Sequence, residues 1–125
     1  FVRDSIAQLS DTNNWLRALV HTELANALAA IHGKPELAWT VETLAEQCCM
    51  SRSKFAPLFS TIVGETPLAY LQQYRFRLAS QYLREGQWSI QQIAHRVGYS
   101  SETAFSQTFK RLFDLTPSQY RQQFQ

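Results

Sequence analysis

Hydrogen-bonding groups, rather than nucleophiles, are the chemistry most densely placed in this chain. Around Phe105 and Phe109 lie Glu102, Thr103, Ser106 and Gln107, followed by Lys110 and Arg111. On a helix whose aromatic side faces a core, these polar groups form the opposite flank. A carboxamide such as Gln107 can pair with adenine, and a carboxylate such as Glu102 can accept from the cytosine amine. Thr103 and Ala104 can meet a thymine methyl. Lys110, Arg111 and Arg96 are cations suited to phosphate, which positions a binder without reading sequence. Fifty residues earlier, Arg52, Ser53, Lys54 and Ala56 occupy a corresponding flank.

Bond-making chemistry finds no foothold. Cys48 and Cys49 are adjacent, without CxxC spacing, and His21, His32 and His95 are scattered. Metal ligation needs convergent ligands at short helical or loop spacings, so no metal and no cofactor are expected. Cys48 is expected as a small buried hydrophobe and Cys49 as the more exposed thiol. There is no phosphate-binding glycine loop, no G-x-S-x-G and no H-E-x-x-H, so no enzyme is expected. Trp39, Phe55, Phe59, Tyr74, Trp88, Phe105, Phe109 and Tyr120 recur at core spacing and are read as packing. Arg75 and Arg77 are able to touch phosphate but are read first as solvated or as an ion pair between subdomains.

The longest element that could position these groups is Thr66–Glu85. Thr66 suits an N-cap, Pro67 the first helical position and Gly86 the left-handed residue after the last turn. Leu68, Leu71, Arg75, Leu78 and Tyr82, with Tyr70 and Tyr74, recur at helical steps. Such a helix would be roughly 28 Å long, close to the ~34 Å between successive major-groove faces of duplex DNA.

On either side the pattern predicts short helices joined by tight turns. Upstream, Thr40 caps Val41–Cys48, Met50-Ser51 turns the chain, and Arg52–Val63 follows with Phe55, Leu58, Phe59 and Ile62 inward. Downstream, Ser89 caps Ile90–Val97, Gly98-Tyr99-Ser100 turns, and Ser101–Phe113 buries Phe105, Phe109 and Leu112. Thr116-Pro117 starts a last helix. Each pair is a helix-turn-helix pattern. At the N-terminal end, helices are expected over Thr12–Val20, with Ser10, Asp11 and Asn13 as caps, and over Thr22–His32, capped by Thr22. Leu24, Leu28 and Ile31 form the stripe of the second, and Leu16, Leu19 and Val20 pack either on this domain or on an upstream one.

The two halves repeat. Leu44-Ala45 matches Ile93-Ala94 at a shift of 49, whereas Phe55, Phe59, Thr66-Pro67 and Tyr70 match Phe105, Phe109, Thr116-Pro117 and Tyr120 at a shift of 50. One residue inserted at the turn accounts for the difference. The alignment sets Cys49 opposite Gly98, where a left-handed turn costs a side chain about 1 kcal/mol or more. It also sets Pro57 opposite Gln107.

The run Ile93-Ala94-x-x-Val97-Gly98-Tyr99-Ser100-Ser101, then Phe105-x-x-x-Phe109-Lys110-Arg111 and Thr116-Pro117-x-x-Tyr120-Arg121, resembles the DNA-binding domain of AraC/XylS-type regulators. The first copy resembles the family's N-terminal half, and Ala27–Thr40 is similar to members with an N-terminal cupin sensor. The resemblance implies an all-α fold of two helix-turn-helix subdomains joined by a long central helix, each second helix entering one of two adjacent major grooves. It implies residues 1–36 as helices and linker from an absent sensor, and 37–125 as the DNA-binding domain, with units at about 41–63 and 90–113 and the linker helix at 66–85. Base readers are then Arg52, Ser53, Lys54, Ala56, Glu102, Thr103, Ala104, Ser106 and Gln107. Phosphate contacts are Ser51, Ser101, Arg96, Lys110 and Arg111. Expected partners are double-stranded DNA and RNA polymerase, with dimerisation through the absent N-terminal part. Where the family often carries a groove-facing polar residue, Pro57 stands instead, so the first unit is expected to read fewer bases.

Charge agrees with this. Residues 1–50 hold three Lys/Arg against six Asp/Glu, and residues 51–125 hold nine against four. A basic half on a nearly neutral chain fits a nucleic-acid contact. No apolar run approaches a membrane span and no signal peptide is evident, so a cytoplasmic location is expected. Two rival classes remain at this point: a helical protein-interaction adaptor, and a DNA-modifying or repair enzyme using such a domain for targeting.

Overall fold

The computed structural model describes residues 11–124, with side chains from residue 22 onward. Seven helices follow one another among the described residues, without strands: α1 Asp11–Gly33, α2 Val41–Gln47, α3 Arg52–Val63, α4 Pro67–Glu85, α5 Ile90–Arg96, α6 Glu102–Phe113 and α7 Pro117–Gln122. The chain divides into two compact units. Unit 1 takes the chain through Ala30 and Thr40–Pro67, and unit 2 takes Ile31–Trp39 and the chain from Leu68 onward.

Five helix starts follow directly from residue type. Thr40, Ser51, Ser89, Ser101 and Thr116 are extended N-caps whose hydroxyls accept from the backbone N–H three residues on. At Thr40, Ser89 and Thr116 the third residue, Thr43, Gln92 or Gln119, bonds back to the cap's own N–H. Each such box satisfies two otherwise orphaned donors.

The turns of the two units are the same object. Met50 N–H donates to Ala45 O at 3.0 Å, and Tyr99 N–H donates to Ala94 O at 2.8 Å. These are six-residue closures around a left-handed residue, Cys49 at φ 57° in one and Gly98 at φ 98° in the other. A second left-handed pair ends α3 and α6, Gly64 at φ 95° and Asp114 at φ 64°. The inserted residue inferred from the 49-to-50 shift therefore leaves the turn's hydrogen bonding unchanged.

In unit 2 the core is Phe76, Ala79 and Leu83 from α4, Ile93, Ala94 and Val97 around α5, and Phe105 and Phe109 from α6. Phe76 stacks on Phe105 at 5.3 Å and 11°, and Phe109 stacks on Phe113 at 4.2 Å and 7°. In unit 1, Leu24, Ala27, Leu44, Ala45, Phe55 and Phe59 are buried. Fully burying one such Phe stabilises by about 1.5–3 kcal/mol, which makes these rings anchors for the helices rather than groups offered to a ligand.

Three expectations are corrected. The helices expected over Thr12–Val20 and Thr22–His32 are the single helix α1. No glycine or proline lies between residues 11 and 32, so nothing forces the backbone out of the helix at Thr22. Ser10, Leu16, Leu19, Val20 and His21 lie outside the described side chains. On α4 the buried stripe is Leu71, Phe76, Ala79 and Leu83, and Leu68 is 45% exposed. The expected stripe ran through Arg75, about 100° away from Phe76 on the helix. Leu112 is likewise exposed, at 44%, because Phe109 and Phe113 already fill that end of the core.

Candidate nucleic-acid interface

The second helix of each unit buries two rings and exposes a polar flank. In α6, Phe105 and Phe109 are fully buried, while Glu102, Thr103, Ala104, Gln107, Lys110 and Arg111 are exposed and Ser106 is half-buried. In α3, Phe55 and Phe59 are buried, Arg52, Ser53, Lys54 and Pro57 are exposed, and Ala56 is half-buried. The spacing of the rings sets this directly. Residues four apart lie on one face, so the residues between them and before them must face away.

The caps put functional groups at the start of each such helix. Ser51 Oγ accepts from Lys54 N–H at 3.3 Å and lies 3.3 Å from Ser53 Oγ. Ser101 Oγ accepts from Ala104 N–H at 3.1 Å. A hydroxyl that accepts in this way still has its own hydrogen to donate, for instance to a phosphate oxygen.

Arg96 is exposed, and its guanidinium lies 4.2 Å from the Trp88 ring centroid and 5.5 Å from that of Tyr82. Stacking fixes the plane of the fork and leaves its N–H edge available to an in-plane oxyanion. Pro57 sits inside α3. Its ring nitrogen cannot donate to the Ser53 carbonyl, and its side chain offers no polar group where α6 offers Gln107.

Two features were not legible as site chemistry. Arg52 Nη1 lies 2.6 Å from Glu42 Oε2, joining the first residue of α3 to the first turn of α2. The Glu42 carboxyl is held below its ordinary value, chiefly by its own backbone N–H, against the opposing effect of desolvation, and further by Arg52 and Thr40. Arg75, expected as solvated or in an ion pair, instead donates to backbone. Its Nε reaches Pro35 O and its Nη2 reaches Leu37 O, each at 2.7 Å. Burial pushes the Arg75 guanidinium below its ordinary value, opposed by Tyr99 and Glu36. Carbonyls displaced the expected carboxylate because the Pro35–Leu37 loop has acceptors to satisfy and Arg75 has a planar fork to offer.

Cys48 is half-buried, less than expected, with its thiol pushed up by burial, and Cys49 is exposed. Among the described residues no three His, Cys, Asp or Glu side chains are grouped to hold a metal. None of the described helices is long and apolar enough to cross a membrane.

Comparison with known proteins joins these features to a function. Residues 44–123 match the family model described as a helix-turn-helix domain. The chain is 70% identical to the HTH-type transcriptional regulator AlkR of Acinetobacter baylyi over 98% of its own length, and spans 40% of that regulator. It is similar in fold to an AraC-type DNA-binding-domain-containing regulator of Chromobacterium violaceum, with TM-score 0.75 and 29% identity over 86% of this chain and 96% of that one. It is also similar to the DNA-binding domain of the global transcriptional factor AdpA in complex with a target DNA. There the TM-score is 0.75 and the identity 32%, over 82% of this chain and 92% of that one.

Proposed function

The chain belongs to the helix-turn-helix family of AraC-type DNA-binding domains, and from that premise we propose that it directs a transcription regulator to its operator by reading two adjacent major grooves. The observation that carries this is the structural repeat. Two turns with the same closure each lead from a short helix to a longer one that buries two phenylalanines and exposes a polar flank. Helix N-terminal residues in such a pair reach base edges.

On this reading Glu102, Thr103, Ala104, Ser106 and Gln107 read the second half-site, and Arg52, Ser53, Lys54 and Ala56 read the first. Ser51, Ser101, Arg96, Lys110 and Arg111 hold phosphates. In chain order the two readers are separated by the unbroken helix α4. RNA polymerase is the downstream partner. The chain spans 40% of AlkR's length; on this reading signal sensing and any dimer contact are assigned to a cupin-type sensor, with residues 1–36 as helices and linker from it. The regulator acts in the cytoplasm and has no enzymatic activity of its own.

Selection of bound sequences from a random duplex pool tests this. A two-part site with half-sites about one helical turn apart is expected, together with a loss of affinity of about one log unit per phosphate contact per log unit of salt. Recovery of no enriched duplex would favour a protein-interaction adaptor.

A further inference from the structure

We propose that Glu42 is a specificity residue: its carboxylate clamps Arg52 as a guanine-reading fork in the first half-site and cancels that arginine's attraction for phosphate elsewhere. The inference rests on the DNA-reading function above and assigns it a residue outside the reading helices.

The geometry is specific to the first unit. Arg52 is the first residue of α3, and Glu42 stands in the first turn of the preceding helix, with Nη1 and Oε2 2.6 Å apart. At the matching positions the second unit carries Gln91 and Glu102, a neutral residue and an acid. The pairing of a carboxylate with a cation is thus not inherited from the repeat, and packing of the unit does not require it. Both side chains are more than half exposed, at 63% for Arg52 and 55% for Glu42. Exposed pairs of this kind contribute little to folding, so the arrangement calls for another use.

Arginine has five donors in a rigid fork, and one contact to Glu42 leaves the others free. Two parallel donors match O6 and N7 of guanine, the commonest specific arginine contact in the major groove. A long side chain normally loses rotamer freedom when it forms that contact, and an existing clamp removes part of the cost. The charge balance works in the same direction. A free arginine strengthens binding to every duplex through the phosphates, whereas an arginine already neutralised by a carboxylate gains little from them. Its directed donors still recognise one base. Glu42 therefore gives up general affinity for discrimination, as complementary charges at interfaces commonly do. As an exposed glutamate it is charged at neutral pH.

The test compares the wild-type chain with Glu42→Gln, Arg52→Lys and the double variant, on the site recovered by selection and on single-base changes in its first half-site. Thermal melting by circular dichroism controls for folding, which these exposed positions should leave unchanged. The wild-type chain is expected to prefer guanine at one pair by about 5- to 150-fold. Glu42→Gln should cut that preference at least about threefold, raise affinity for random duplex and steepen the salt dependence by about one phosphate contact. Arg52→Lys keeps the charge and loses the fork, so it should lose the preference whether or not Glu42 is present. An unchanged guanine preference in Glu42→Gln overturns the inference while leaving the DNA-reading function standing. Failure of the wild-type chain to enrich any site removes both.

Discussion

Cys49 and Gly98 make the same left-handed turn in the two units, at φ 57° and φ 98°, although only one of them is a glycine. An L-residue pays for that backbone by crowding its Cβ against the following carbonyl, by roughly 1–2 kcal/mol. Glycine loses part of the difference through its greater freedom when unfolded. Cys49→Gly should therefore stabilise the domain by about 0.5–1 kcal/mol. Urea unfolding read at the transition midpoint checks this; a lower midpoint would mean that the thiol makes a compensating contact.

Gly98 carries a second constraint that Cys49 does not. A Cβ there would lie 2.9 Å from Arg75 Cζ, and this guanidinium is held by the Pro35 and Leu37 carbonyls. Gly98→Ala should cost at least about 1–2 kcal/mol from backbone strain alone and should also displace the Arg75 fork. Arg75→Ala should cost about 2 kcal/mol, since it removes two charge-assisted hydrogen bonds at a half-buried site. Equilibrium unfolding of the single and double variants gives the coupling; additive costs would mean that the two positions act independently.

Gln107 and Lys110 share one exposed flank of α6 but have different work. Gln107→Ala should cost about 1–3 kcal/mol and relax preference at a single base pair, whereas Lys110→Ala should weaken all duplexes alike and reduce the salt slope by about one. Titrations against the selected site and a scrambled duplex at two salt concentrations separate them. Equal losses on both duplexes for Gln107→Ala would remove its assigned role.

Pro57 leaves α3 without the carboxamide that α6 carries at the matching position. Substituting bases in the first half-site should therefore damage binding less than substituting them in the second, with the guanine read by Arg52 as the exception. A base-by-base substitution series measures this asymmetry, and equal damage in both halves would contradict it.

Much of this was legible in the chain because local rules decide it. Thr40, Ser51, Ser89, Ser101 and Thr116 announce helix starts by residue type, and the repeat places Cys49 opposite Gly98 before any coordinate is known. Phe105 and Phe109 fix which flank of their helix is polar. What failed was decided at a distance or by competition. Thr22-Glu23 reads as a cap, yet an uninterrupted helix satisfies the same backbone groups, so α1 runs through it. Nearly every side of α4 carries apolar residues, and only packing selects Phe76, Ala79 and Leu83 over the stripe through Leu68. The bonds of Arg75 to Pro35 and Leu37 span about forty residues and end on carbonyls, which no side-chain pattern reveals. Glu42 and Arg52 are ten residues apart, on different helices, so helical spacing gives no hint of their contact.

The central proposal is that α3 and α6 of one chain read two adjacent half-sites of one duplex, and the most direct test varies the gap in the DNA. The selected site is compared with versions in which about half a helical turn, or a full turn, of duplex is inserted between the half-sites. Joint reading of two adjacent half-sites predicts that either insertion reduces affinity to that of a single half-site. Affinity retained through both insertions would show that the two helices bind without a set separation, and would contradict the account.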